Sequence, residues 1–177
     1  MNRTLHAAAL AIVLSWPLAA HAEMSKADAE RFRNLARASL AEVEAGKLAR
    51  ERAGRQAVKD FGKEMVEDHG RMLERHRALA KKEGVRLPDA PDAAQQQAIR
   101  KLREQRCGEF DQAYMAQMVK DHQAALRLAQ DAAKNAKDAQ LRAAAEKAVP
   151  EIRKHLEQAR MLHGALERIA ASQEPSR

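Results

Sequence analysis

The segment Met65-Val-Glu-Asp-His69 returns as Met118-Val-Lys-Asp-His122, and a third histidine, His155, lies in a different part of the chain. An imidazole four residues after a methionine shares one helical face with it. Neutral imidazole and carboxylate are good ligands for zinc, iron, nickel or copper(II). Met65, Met72, Met115 and Met118 add thioethers, and thioether with imidazole is a soft set that suits copper(I). Methionine at this spacing is also the ordinary filler of an apolar seam.

Spacing places these residues inward. On one stretch Phe61, Met65, His69, Met72, His76 and Leu79 step by four and three; on a second Met115, Met118, His122, Ala125 and Ala129 do so. On a third the same rhythm runs through Ala148, Ile152, His155, Ala159, Leu162, Leu166 and Ile169, with His163 beside the seam. A fourth stretch carries no histidine. Its narrow seam runs through Leu35, Ser39, Glu42, Gly46, Ala49 and Ala53, in competition with a register through Ala36, Val43 and Arg50. The first register contains fewer charges and brings Glu42, His69, His122 and His155 to one level. Burying four polar groups together is costly unless they satisfy one another or share an ion. Two readings stay open: a site for one transition-metal ion (zinc, copper or iron), or a hydrogen-bonded polar cluster.

Asp68 and Asp121, each one residue before a seam histidine, project about 100° around the helix and are candidates to orient a neighbouring helix's imidazole. Glu151, four residues before His155, is a further neighbour.

The elements that must position these residues are helices. Ala, Leu, Glu, Lys, Arg and Gln dominate, and no stretch alternates as a strand would. Helices are expected from about Lys26 to Arg52, Gln56 to Glu83, Phe110 to Lys134 and Asp138 to Ala170, with a weaker stretch from Ala93 to Arg106. Gly84 and the two prolines of Val85-Arg-Leu-Pro-Asp-Ala-Pro-Asp92 stop the second, Asp138 is an N-cap candidate, and Pro150 should kink the last helix or restart it. The glycines read as isolated punctuation. The fold expected is all-α, one four-helix domain with a long crossover between its second and third helices.

The first residues, with Arg3, an apolar run from Ala7 to Ala20 and the triplet Ala20-His21-Ala22, have the layout of a signal peptide cut after Ala22. The run is broken by Ser15, Trp16 and Pro17 and is too short for a spanning helix. The expected organisation is a leader over 1–22, a domain over 23–172 and a flexible tail over 173–177. An exported, periplasmic chain without a membrane span follows. The formal charge of +7, one less without Arg3, is spread among acidic residues, and only 3% of residues are aromatic. That pattern argues against a nucleic-acid partner and favours anionic envelope surfaces as neighbours. Oligomeric state is not legible. Cys107 is the only cysteine, which excludes an intrachain disulfide; burial as a small hydrophobe is expected, ahead of intermolecular pairing or metal ligation.

Four motifs in order, Ala41-Glu-Val-Glu-Ala-Gly-Lys-Leu-Ala49, Phe61-Gly-Lys-Glu-Met-Val-Glu-Asp-His69, Phe110 to His122 and Val149 to Ala159, resemble the bacterial exported family called domain of unknown function 4142. The resemblance spans Ala29 to Leu162 and implies a ferritin-like bundle running up-down-down-up in the cell envelope. It supplies no reaction. Ferritin-like di-iron enzymes place a Glu three residues before each histidine, whereas Val66, Val119 and Ile152 stand there in this chain. No Gly-x-Ser-x-Gly or phosphate-cradling loop occurs, so the residues indicate a binding or structural protein more than an enzyme.

Overall fold

The computed structural model describes residues 23–173 and, over them, is all-helical. Its elements are α1 (Lys26–Arg52), α2 (Gln56–Glu83), α3 (Ala93–Glu104), α4 (Cys107–Asn135) and α5 (Ala139–Gln173). The expected leader and residues 174–177 lie outside the described residues, as does the side chain of Cys107, on which the expectation of burial rested.

Caps explain most of the boundaries. Ser25 Oγ accepts from the Asp28 amide at 3.1 Å. Gly84, at φ 65°, closes α2 in the left-handed conformation that glycine adopts without strain. Asp92 and Gln95 form a reciprocal capping box on α3, and Asp138 Oδ1 accepts from the amides of Gln140 and Leu141 at 3.0 and 2.8 Å. Pro150 does not restart the last helix: α5 runs through it. Proline cannot donate to the carbonyl of Glu146, but both residues are exposed, where water can take that acceptor.

Two buried carboxylates tie the ends of the bundle and fix its direction. Asp28 Oδ2 accepts from the amides of Lys137 and Asp138, both at 2.9 Å, joining the start of α1 to the α4–α5 turn. Asp111 accepts from Gly54 and Arg55 at 2.9 and 2.8 Å, joining the α1–α2 turn to the start of α4. Helices α2 and α4 therefore run parallel, with α1 and α5 opposed to them. This is the up-down-down-up ferritin-like bundle. The crossover from Gly84 to Arg106 carries α3, whose Ile99 and Leu102 are buried. No helix among the described residues is long and apolar enough to cross a membrane.

The seam of α1 is the one with fewer charges: Leu35, Ser39, Glu42, Gly46, Ala49 and Ala53 are buried, whereas of the competing register only Ala36 is buried, Val43 is half-buried and Arg50 is exposed. Gly46 and Gly62 are more than punctuation. A Cβ on Gly46 would lie 2.7 Å from the Gly62 carbonyl, and one on Gly62 would lie 2.8 Å from the Ala49 methyl. Only hydrogen at both positions lets α1 and α2 cross this closely, one turn from Glu42 and two from His69.

The histidines divide the apolar core. One cluster contains Phe61, Met65, Met118 and Ala159; the other contains Met72, Ala125 and Ile152. His69, His122 and His155 occupy the layer between them, one on each of three helices.

Candidate metal centre

One side-chain nitrogen from each of His69, His122 and His155 lies within 4.8 Å of the other two. The ring centroids are 5.4 to 5.6 Å apart, and all three residues are at most 1% exposed. The rings do not satisfy one another. Nε2 of His122, Nδ1 of His155 and both nitrogens of His69 are buried without a hydrogen-bond partner.

The remaining nitrogens are held from outside. Nδ1 of His122 lies 2.9 Å from the Met118 carbonyl, one turn back on α4, and must donate its proton there. Nε2 of His155 lies 2.9 Å from Asp68 Oδ2 on α2, so that nitrogen carries the proton toward the carboxylate. Each bond fixes a tautomer whose lone pair is on the nitrogen left unpartnered, the form a metal ion requires.

Burial, before any neighbouring charge, pushes the imidazoles of His69 and His122 toward neutrality. His69 is driven well below the ordinary histidine value by desolvation and then by His122, His155 and His76. His122 is lowered to about 4, by desolvation and then by His155, against the raising effect of its bond to Met118. Glu42 goes the other way. Desolvation, followed by the charge of Asp121, raises its carboxyl well above the usual range.

Glu42 shares the level of the three histidines but stands behind one of them. Its Oε1 is 3.5 Å from Nδ1 of His122, the nitrogen bound to Met118, and its Oε2 has no partner. Asp68 holds His155 and is itself bonded by Arg71. Asp121 accepts from Gln117 Nε2 at 2.8 and 2.9 Å and bonds no histidine. Glu151, half-buried, lies 3.5 Å from Arg75 Nη2 and takes no part in the cluster.

Two neighbours escaped the sequence reading. Tyr114, fully buried, keeps its hydroxyl without a partner, and its proton is held by desolvation and then by Glu42 and Asp121. Its place on the α4 seam, one turn before Met118, was the available signal. Glu64, one turn before Asp68, reaches within 4.0 Å of His155 Nε2 and forms with Asp68 and His155 a second acidic grouping at the half-buried edge. Lys154 and Gln158 already engage Glu64, at 2.7 and 3.2 Å.

A family model described as Domain of unknown function (DUF4142) matches residues 14–162. Among solved structures, a crystal structure of a DUF305 fragment from Deinococcus radiodurans is similar in fold, with a TM-score of 0.70 and 12% sequence identity. The match covers 83% of this chain and 99% of that one. No curated protein matches the chain.

Proposed function

The chain belongs to the DUF4142 family, which assigns it no reaction, and we propose on that premise that it binds one transition-metal ion between His69, His122 and His155. The observation that carries this reading is that three buried histidines on three helices each bring a ring nitrogen within 4.8 Å of the others, while Nε2 of His122, Nδ1 of His155 and both nitrogens of His69 have no hydrogen-bond partner. Leaving such groups unsatisfied costs about 1–3 kcal/mol each, a cost that a shared ion removes. Bonds of ~2.0–2.1 Å to a tetrahedral ion need nitrogens roughly 3.4 Å apart, so the three nitrogens, within 4.8 Å of one another, draw closer when an ion is bound. Asp68 and the Met118 carbonyl orient two of the ligands. Glu42 is a fourth donor only after it loses its proton and turns past His122; otherwise water completes the set. Zinc, copper and iron all accept imidazole nitrogen.

The rival reading, a structural or stress-interaction protein of the envelope with a self-satisfied polar cluster, is less well supported. It needs hydrogen bonds among the histidines, and only the bonds to Asp68 and Met118 are made. Bridged di-iron chemistry lacks its carboxylates: Asp68 serves His155, and Glu64 serves Lys154 and Gln158. The leader sequence supports export, cleavage near Ala22, and a folded unit over 23–172 in the periplasm, where the metal would be met. The scattered excess of positive charge supports contact with anionic envelope components and gives no support to nucleic-acid binding.

The reading is tested by adding zinc, copper or iron salts while following thermal unfolding. One ion should raise the melting temperature in a concentration-dependent way at pH 7, and do so less as pH falls toward 4, where the His122 imidazole begins to protonate in the folded chain. No shift with any of these ions would refute it.

A further inference from the structure

One to two turns from the histidine layer, toward the α4–α5 turn, a cavity of about 310 Å³ opens between α2 and α5. Its origin is readable in the sequence. Helix α5 there presents Ala143, Ala144 and Ala148, which are too small to fill the space facing Met72 and Leu79 on α2. The walls are mostly apolar; Gln140 also lines them, its Nε2 donating to Glu83 Oε1 at 3.0 Å. Arg75 and Lys147 stand at the rim, and His76 lies in the wall.

We propose that this cavity binds a small organic carboxylate with an apolar tail, its head group at Lys147 and Arg75 and its chain against Met72, Leu79 and the alanines. Three observations independent of the metal site carry this. Volume and lining match a small-molecule pocket, mostly hydrophobic with a few polar groups converging on it. Both charged groups lining it are cations. Lys147 has no carboxylate within 4.0 Å among the described residues, and Arg75 meets only Glu151, at 3.5 Å with 60% of its own side chain exposed. Finally, His76 is 7% exposed and braced edge-on against Phe32 at 5.4 Å, yet its Nδ1 is buried without a partner. A neutral imidazole in this wall can donate to a carboxylate oxygen. Burial, and then the charge of Arg75, lowers His76 to about 4, so the ring is uncharged at neutral pH and the attraction for an anion comes from the rim.

Octanoate is a suitable probe, with octanol and an octyl quaternary ammonium ion as controls. Titration into the protein, followed by methyl and imidazole NMR, should give saturable shifts confined to Met72, His76, Ala144 and Ala148. Octanol should bind about tenfold more weakly, and the cation should not compete. Lys147→Glu, an exposed change, should weaken octanoate about tenfold or more; Ala144→Phe should abolish binding by filling the cavity, with helicity checked by circular dichroism. Absence of saturable shifts, equal affinity for octanol and octanoate, or unchanged affinity in Lys147→Glu would each overturn the proposal. Because Lys147→Glu leaves the apolar wall intact, the test survives even if Ala144→Phe misfolds.

Discussion

Asp68 Oδ2 lies 2.9 Å from Nε2 of His155, joining α2 to α5 between residues 87 positions apart in sequence. The bond puts the proton of His155 on Nε2 and leaves the lone pair on Nδ1, which is buried without a partner. Asp68→Asn keeps the shape but loses the charge and half of the accepting capacity. It should weaken metal binding about 10–100-fold, measured by competition with a chromophoric chelator. Unchanged affinity would remove Asp68 from the account.

The pH dependence of the metal-free protein follows from the depressed histidines. His69, His76 and His122 resist protonation when folded, so between the unfolded value near 6.5 and their folded values the unfolded chain binds more protons. Stability should therefore fall as pH drops from 6.5 toward 4, by up to roughly 1.4 kcal/mol per pH unit for each group. Glu42 has the opposite sign: its raised carboxyl contributes most below about pH 4.5 and loses that contribution as pH rises. Three histidines outweigh it between pH 5 and 6.5. Urea unfolding across this range should show the slope, and His122→Leu should flatten it.

Gly62 and Gly70 both lie inside α2, and alanine should act oppositely at the two. A Cβ at Gly62 meets Ala49 Cβ at 2.8 Å and the Gly46 carbonyl at 2.9 Å, whereas at Gly70 nothing lies within 4 Å. Gly62→Ala should destabilise by about 1–3 kcal/mol or more through overpacking. Gly70→Ala should stabilise by about 0.5–1 kcal/mol through helix propensity. Melting of the two variants separates these outcomes; a neutral Gly62→Ala would show that α1 and α2 can part without cost.

His69 has two unpartnered buried nitrogens, so His69→Leu should make the metal-free protein more stable, on the order of 1–2 kcal/mol, while eliminating metal binding. Destabilisation of the metal-free form would mean that His69 is satisfied by a group the account omits.

The helices, their order and the inward histidines were legible because composition and periodicity act locally. Arg52, Gln56 and Glu83 were read as ends because Gly54 and Gly84 interrupt an otherwise uniform helical composition. The choice of the Glu42 seam over the Val43 and Arg50 one followed from burial cost alone. What escaped depends on pairs of helices. Gly46 and Gly62 matter only through the backbone opposite them. Whether Asp68 or Asp121 would reach a histidine depended on the rotation of α2 against α5 and α4 against α2; Asp68 does and Asp121 turns to Gln117. Pro150 looked like a break, yet the Glu146 carbonyl it leaves without a helical donor lies on an exposed face, where the cost is small.

The central claim is that one ion sits among His69, His122 and His155. Its most direct measurement is the metal-to-protein ratio, by elemental analysis after equilibration with zinc, copper or iron salts and removal of excess ion, for the parent and for His122→Ala. The account predicts a ratio near one for the parent with a preferred ion, and a ratio near zero for the variant at unchanged helicity. No bound metal in the parent, or equal binding in His122→Ala, would contradict it.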